Sequence, residues 1–217
     1  ENIIRHTAVI PLGGNIITAD IKEGCMLMQN QAETLKTRFG KAIAAEANPN
    51  EIVSIPGLKN RAPKEISIRN LASIIQARME EIIEIVQNEI MQSGYYKKLA
   101  GGIVLTGGGS QMQFIAQLFE YMTGLDTRIG FPNEHLGKSV LEEVKSPMYA
   151  TTVGLVLAGF KSLDMREEMY KNRVANTGVK PKIQVREGIS KDFFKNIGER
   201  LKGIISDDIG DDNSYGG

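Results

Sequence analysis

Gly102-Ile103-Val104-Leu105-Thr106-Gly107-Gly108-Gly109-Ser110 is the stretch that decides the fold. An apolar, β-branched run gives way to three consecutive glycines. Gln111 to Met122 then carries Phe114, Ile115, Leu118 and Phe119 at helical spacing. The pattern predicts a strand, a tight corner and a helix. Three glycines let the backbone approach a ligand with no Cβ in the way. A helix start adds free N–H groups and a partial positive potential. Such a corner can cradle a phosphate or lie flat against a base. It lacks the Lys and Ser/Thr of a Walker A loop and the Gly-x-Gly-x-x-Gly spacing of a dinucleotide fold. A closely packed turn with no ligand is the competing reading.

On either side of this corner, strands alternate with helices. Ile3 to Leu12 reads as a strand ending at Gly13-Gly14, and Asn15 as the cap of a helix carrying Ile16, Ile17 and Ile21. A second helix is expected over Gln29 to Phe39, stopped by Gly40. Glu51–Ile55 and Glu65–Ile68 read as a hairpin around Pro56-Gly57. Leu71, Ile74, Ile75, Met79, Ile82, Ile83, Val86 and Ile90 mark one long helix, Arg69 to Gln92. Thr127 to Gly130 reads as a further strand. Ser146-Pro147 sets a cap and an N1 proline before a helix over Met148 to Phe160. This alternation implies an α/β sheet covered by helices.

Composition bounds the function. The chain has 217 residues, 41% hydrophobic and 24% charged, with 26 Lys+Arg balancing 26 Asp+Glu. No basic field is present to attract nucleic acid, so no nucleic-acid partner is expected. One cysteine, Cys25, and two separated histidines, His6 and His135, offer no metal-ligand pattern. The first residues lack the pattern of a secretory leader, and no apolar run approaches the roughly 20 residues a spanning helix needs. Glu33 and Lys36 share a helix face. They could reach a ribose hydroxyl and an adenine edge, or form a simple surface pair.

Several stretches in order resemble one family. They are His6-Thr7-Ala8-Val9-Ile10-Pro11-Leu12-Gly13-Gly14-Asn15 through Ile21, then Ala32-Glu33-Thr34-Leu35-Lys36, then Gly102 to Gly108, Arg128-Ile129-Gly130, and Tyr149-Ala150-Thr151-Thr152-Val153-Gly154-Leu155. Together they are similar to the second half of FtsA, the actin-like bacterial division protein. The resemblance implies subdomains 2A and 2B of an actin-like ATPase fold, a ribonuclease H-like core with a small inserted α/β subdomain. Residues 1–46 and 95–162 would form the adenosine-side core and 47–94 the insert. Gly107, Gly108, Gly109, Ser110 and Gln111 would line an adenosine pocket, closed by Glu33 and Lys36. The phosphate loops of the family have no counterpart here. ATP is thus the implied cofactor of a parent protein, with weak or no binding and no hydrolysis expected of this chain. No catalytic residue is assigned. In the family the inserted subdomain receives the C-terminal peptide of FtsZ, and Lys64, Arg78 and Glu81 map onto the receiving surface. Self-association and contacts with other division proteins are further implied. A heat-shock-type ATPase, a sugar kinase half and an MreB-like rod-shape actin are the alternatives.

The chain from residue 163 onward reads differently. Residues 163–189 are charged and weakly periodic, which predicts a linker, and 207–217 are acidic and glycine-rich, which predicts a disordered tail. Between them, over 190–206, Phe193, Phe194, Ile197, Leu201, Ile204 and Ile205 form one apolar helical stripe flanked by Lys191, Lys195, Arg200 and Lys202. Such a helix suits the membrane interface or a protein surface equally. The resemblance implies the first: FtsA carries a membrane-targeting helix after a linker, at the inner face of the cytoplasmic membrane. Gly198 and Gly203 weaken it by about 1 kcal/mol each relative to alanine.

Overall fold

The computed structural model describes residues 3–57, 62–133, 136 and 142–177. Two units divide the chain, Glu1–Gly130 and Phe131–Gly217. The first unit holds helices α1 (Gly14–Gly24) and α2 (Gln29–Phe39), strands β1 (Ile52–Ile55) and β2 (Lys64–Ser67), and helix α3 (Ile68–Gln92). Strand β3 (Ile103–Leu105), helix α4 (Ile115–Thr123) and strand β4 (Thr127–Ile129) complete it.

The long apolar stripe of α3 builds the core. Ile68, Leu71, Ala72, Ile75 and Ile83 are at most 1% exposed and meet Ile17 and Ile21 of α1 and Ala32 and Leu35 of α2. Each large aliphatic side chain so buried contributes about 1.5–3 kcal/mol. Residues 47–94 therefore share one continuous core with α1, α2 and α4. β1 and β2 pair antiparallel, Ile52 opposite Ser67 and Ile55 opposite Lys64, and β2 runs directly into α3. β3 and β4 pair in parallel, with α4 as the crossover. At this junction Gly102 has φ +67, and a Cβ there would lie 2.1 Å from the Asp126 carbonyl oxygen. Only glycine permits the short Ile103 N–H to Asp126 carbonyl bond beside it, 2.7 Å.

Three expectations need correction. Residues 3–12 are not a strand: they form no ladder with any described residue, and Val9 is 92% exposed. A strand needs a hydrogen-bonded neighbour, and β-branched composition cannot supply one. Asn15 does not cap α1, which starts at Gly14 behind an extended Gly13 with no side-chain cap. The helix after the glycines starts at Ile115, not Gln111, because a 3-10 turn over Gly108–Gln111 and a left-handed Phe114, φ 64, come first.

In the second unit, 3-10 turns at Glu142–Lys145 and Pro147–Tyr149 lead into α5 (Ala150–Thr177). Ser146 caps the second turn, its side chain accepting from Met148 N–H, with Pro147 beside it as expected. The segment 163–177, expected as the start of a linker, continues α5 as helix. Neither glycine nor proline falls between Lys161 and Thr177, and Met, Glu, Arg and Lys favour a helix. Weak periodicity signals an exposed helix as readily as a linker: Leu163, Met165 and Met169 are all exposed. The helix expected over 190–206 and the tail over 207–217 lie outside the described residues.

Candidate functional site

The glycine corner is open. A Cβ placed on Gly107, Gly108 or Gly109 would meet no described atom within 4 Å. Close packing against described residues therefore does not explain the three glycines. Gly107 has φ +89, a conformation that side chains rarely adopt. Ser110 holds the corner from beneath: it is 6% exposed, and its hydroxyl donates to the Gly107 carbonyl at 2.8 Å. Ser110 thus braces the corner instead of offering its hydroxyl outward. Gln111 is exposed at the end of the turn. Because the 3-10 turn separates the corner from α4, the dipole of a regular helix does not point through it. This geometry suits a flat base or ribose face better than a phosphate.

The corner is stitched to the end of α2. Ala42 N–H donates to the Gln113 carbonyl at 2.9 Å, and Lys41 bridges Gln113 in parallel. α2 carries Glu33 and Lys36, which the structure does bring together, at 2.7 Å. They are not a surface pair. The Lys36 side chain is 11% exposed, and its ammonium donates to the Gly14 carbonyl (2.9 Å), Thr18 Oγ1 (2.8 Å) and Glu33 Oε2 (2.7 Å). Three protons thus have three partners inside the protein. Thr18, 1% exposed, was not singled out by the sequence; its hydroxyl lies 2.5 Å from Glu33 Oε2. Only its place on the inner face of α1, one residue after Ile17, could have pointed to it. Burial pushes the Glu33 carboxyl up. The hydrogen bonds from Lys36 and Thr18 and the Lys36 charge together outweigh that, and hold it below its ordinary value.

The three residues mapped onto a peptide surface are not assembled alike. Arg78 and Glu81 pair one turn apart on α3, whereas Lys64 is exposed at the start of β2. Arg78 lies ten residues along α3 from its start, roughly 15 Å away. The expectation of Arg78 as a free surface cation needs correction. Its guanidinium also grips Asp20 of α1, Nε to Oδ2 at 2.5 Å and Nη2 to Oδ1 at 3.0 Å, a bidentate brace between α1 and α3. The Asp20 bond, with both neighbouring carboxylates, raises its pKa further. Lys64 meets a different neighbour: burial pushes the Cys25 thiol up, and the Lys64 charge partly offsets that.

These features lie on a chain whose relatives are known. A family model described as cell division protein FtsA matches residues 1–154. The chain belongs to the FtsA family. FtsA of Pseudomonas aeruginosa is 34% identical over 191 residues, covering 88% of this chain and 45% of that protein. FtsA of Neisseria meningitidis is 39% identical over 159 residues, covering 73% and 38%. FtsA of Escherichia coli K12 is 33% identical over 183 residues, covering 81% and 43%. The chain thus spans less than half the length of these FtsA relatives. Among solved structures, MreB5 of Spiroplasma citri bound to ADP superposes with a TM-score of 0.51 at 17% identity, over 72% of this chain and 47% of that one. That likeness fixes the fold as part of an actin-like one and says nothing finer. The glycine corner, the Glu33–Lys36 pair, Lys64, Arg78 and Glu81 all fall inside the FtsA match. Phe193, Phe194, Ile197, Leu201, Ile204 and Ile205 fall beyond it and outside the described residues.

Proposed function

We propose that this chain is part of an actin-like cell-division scaffold that joins FtsZ filaments to the cytoplasmic membrane at the division site, and that it carries the adenosine side of a nucleotide site without catalysing a reaction. The match to FtsA over residues 1–154 carries the reading. The open corner at Gly107, Gly108 and Gly109 supports the adenosine side, as does the ADP named for the MreB5 structure of similar fold. ATP would then be the ligand of a longer parent. With no phosphate loops in its sequence, this chain alone should bind ATP weakly and not hydrolyse it.

The FtsZ C-terminal peptide would dock on the face carrying Lys64, with self-association and other division proteins engaging further surfaces. Lys64 is the better candidate cation. Arg78 already faces two carboxylates, so an incoming acidic group would have to displace one of them. The amphipathic stripe over 190–206 would tether the assembly to lipid. Calorimetric titration of an FtsZ C-terminal peptide tests the docking. Lys64→Glu should weaken binding about three- to tenfold. Arg78→Glu should weaken it too and also lower Tm, because it breaks the brace to α1. An affinity indifferent to Lys64→Glu removes the peptide from this face.

A further inference from the structure

The group of Gly14, Thr18, Glu33 and Lys36 divides the labour of the site in a way that the sequence does not state. Every hydrogen bond to the Glu33 carboxylate converges on Oε2, from Lys36 at 2.7 Å and Thr18 at 2.5 Å. No described residue bonds Oε1, and the side chain is 46% exposed. One oxygen is pinned and the other takes no hydrogen bond from a described residue. The Lys36 ammonium is the reverse, 11% exposed with every proton directed inward. Gly14 makes this possible: a Cβ there would sit 3.3 Å from Lys36 Nζ, tighter than ordinary contact.

We propose that Thr18 is a positioning residue of the adenosine site: with Lys36 it fixes Glu33 so that Oε1 accepts from the ribose hydroxyls. This rests on the adenosine reading above. The physical argument is preorganisation. A carboxylate on a free side chain must lose rotamer freedom to accept a hydrogen bond, whereas one already held by two donors does not. The hydroxyl of Thr18 accepts from Lys36 and has a single proton, whose nearest acceptor is Glu33, with the Gly14 carbonyl second at 3.0 Å. Removing that hydroxyl strips Glu33 of one donor and Lys36 of one acceptor together.

The test is an NMR-monitored titration of the 217-residue chain with adenosine and with 2′,3′-dideoxyadenosine, for the wild type, Thr18→Val and Thr18→Ser. The wild type should bind adenosine at millimolar concentration and dideoxyadenosine roughly tenfold more weakly, the loss of one charge-assisted hydrogen bond. Thr18→Val should abolish that preference and should raise the Glu33 titration midpoint. Thr18→Ser should restore both. Equal affinity of the wild type for the two nucleosides, or a preference that survives Thr18→Val, overturns the inference and leaves the adenosine site standing. Failure of the wild type to bind either nucleoside overturns the adenosine reading itself, and this proposal with it.

Discussion

Glu33 shows how far a single residue can be read. Its spacing from Lys36 was visible in the sequence, but the burial of Lys36 was not. That burial depends on Gly14 and Thr18, which approach from a helix fifteen or more residues earlier. The pairing has a pH signature. The folded-state pKa of Glu33 is depressed, so its contribution to stability is present above the unfolded-state value, about 4.3, and is lost as pH falls through the folded value. The Tm of wild type and Glu33→Gln, measured from pH 3 to pH 7, should therefore differ most near neutrality and converge toward acid. Parallel curves across that range would mean that the carboxylate is not engaged as described. The glycines taught the opposite lesson. Their number was plain in the sequence, whereas whether they pack or stand open depends on their surroundings in space.

At the scale of elements, legibility followed periodicity. α2, α3 and the β1–β2 hairpin were readable to within a residue or two, because an apolar stripe or an alternating run forces one face inward. The failures came where neighbours decide. The run over 3–12 has strand composition without a described strand beside it. The start of α4 was displaced by the 3-10 turn and by the left-handed Phe114. The segment 163–177 stays helical because strong helix formers run through it with neither glycine nor proline. Arg78 was readable as charged and not as a brace, since Asp20 lies 58 positions away in sequence. α3 is the element on which the first unit depends. Ile75→Ala, at a position 0% exposed, should lower the unfolding free energy by about 2–5 kcal/mol. Urea denaturation gives the value, and a loss under about 1 kcal/mol would place the core elsewhere.

Across the whole molecule, the proposed tether would draw on two parts of the chain. One is the first unit, with its open glycine corner and exposed Lys64. The other is an oily, basic-edged segment near the chain's end. Among the described residues no helix is long and apolar enough to cross a membrane. A single weak amphipathic helix gives modest affinity, and self-association would strengthen it through avidity. The most direct measurement is flotation of a fluorescent protein fused to the FtsZ C-terminal peptide, with phosphatidylethanolamine–phosphatidylglycerol liposomes and this chain. The fusion should float only when the chain is present, should stay in the bottom fraction when residues 190–217 are removed, and should float less when Lys64 is changed to Glu. A fusion that floats equally well with the truncated chain, or that never floats with the intact one, would contradict the tether.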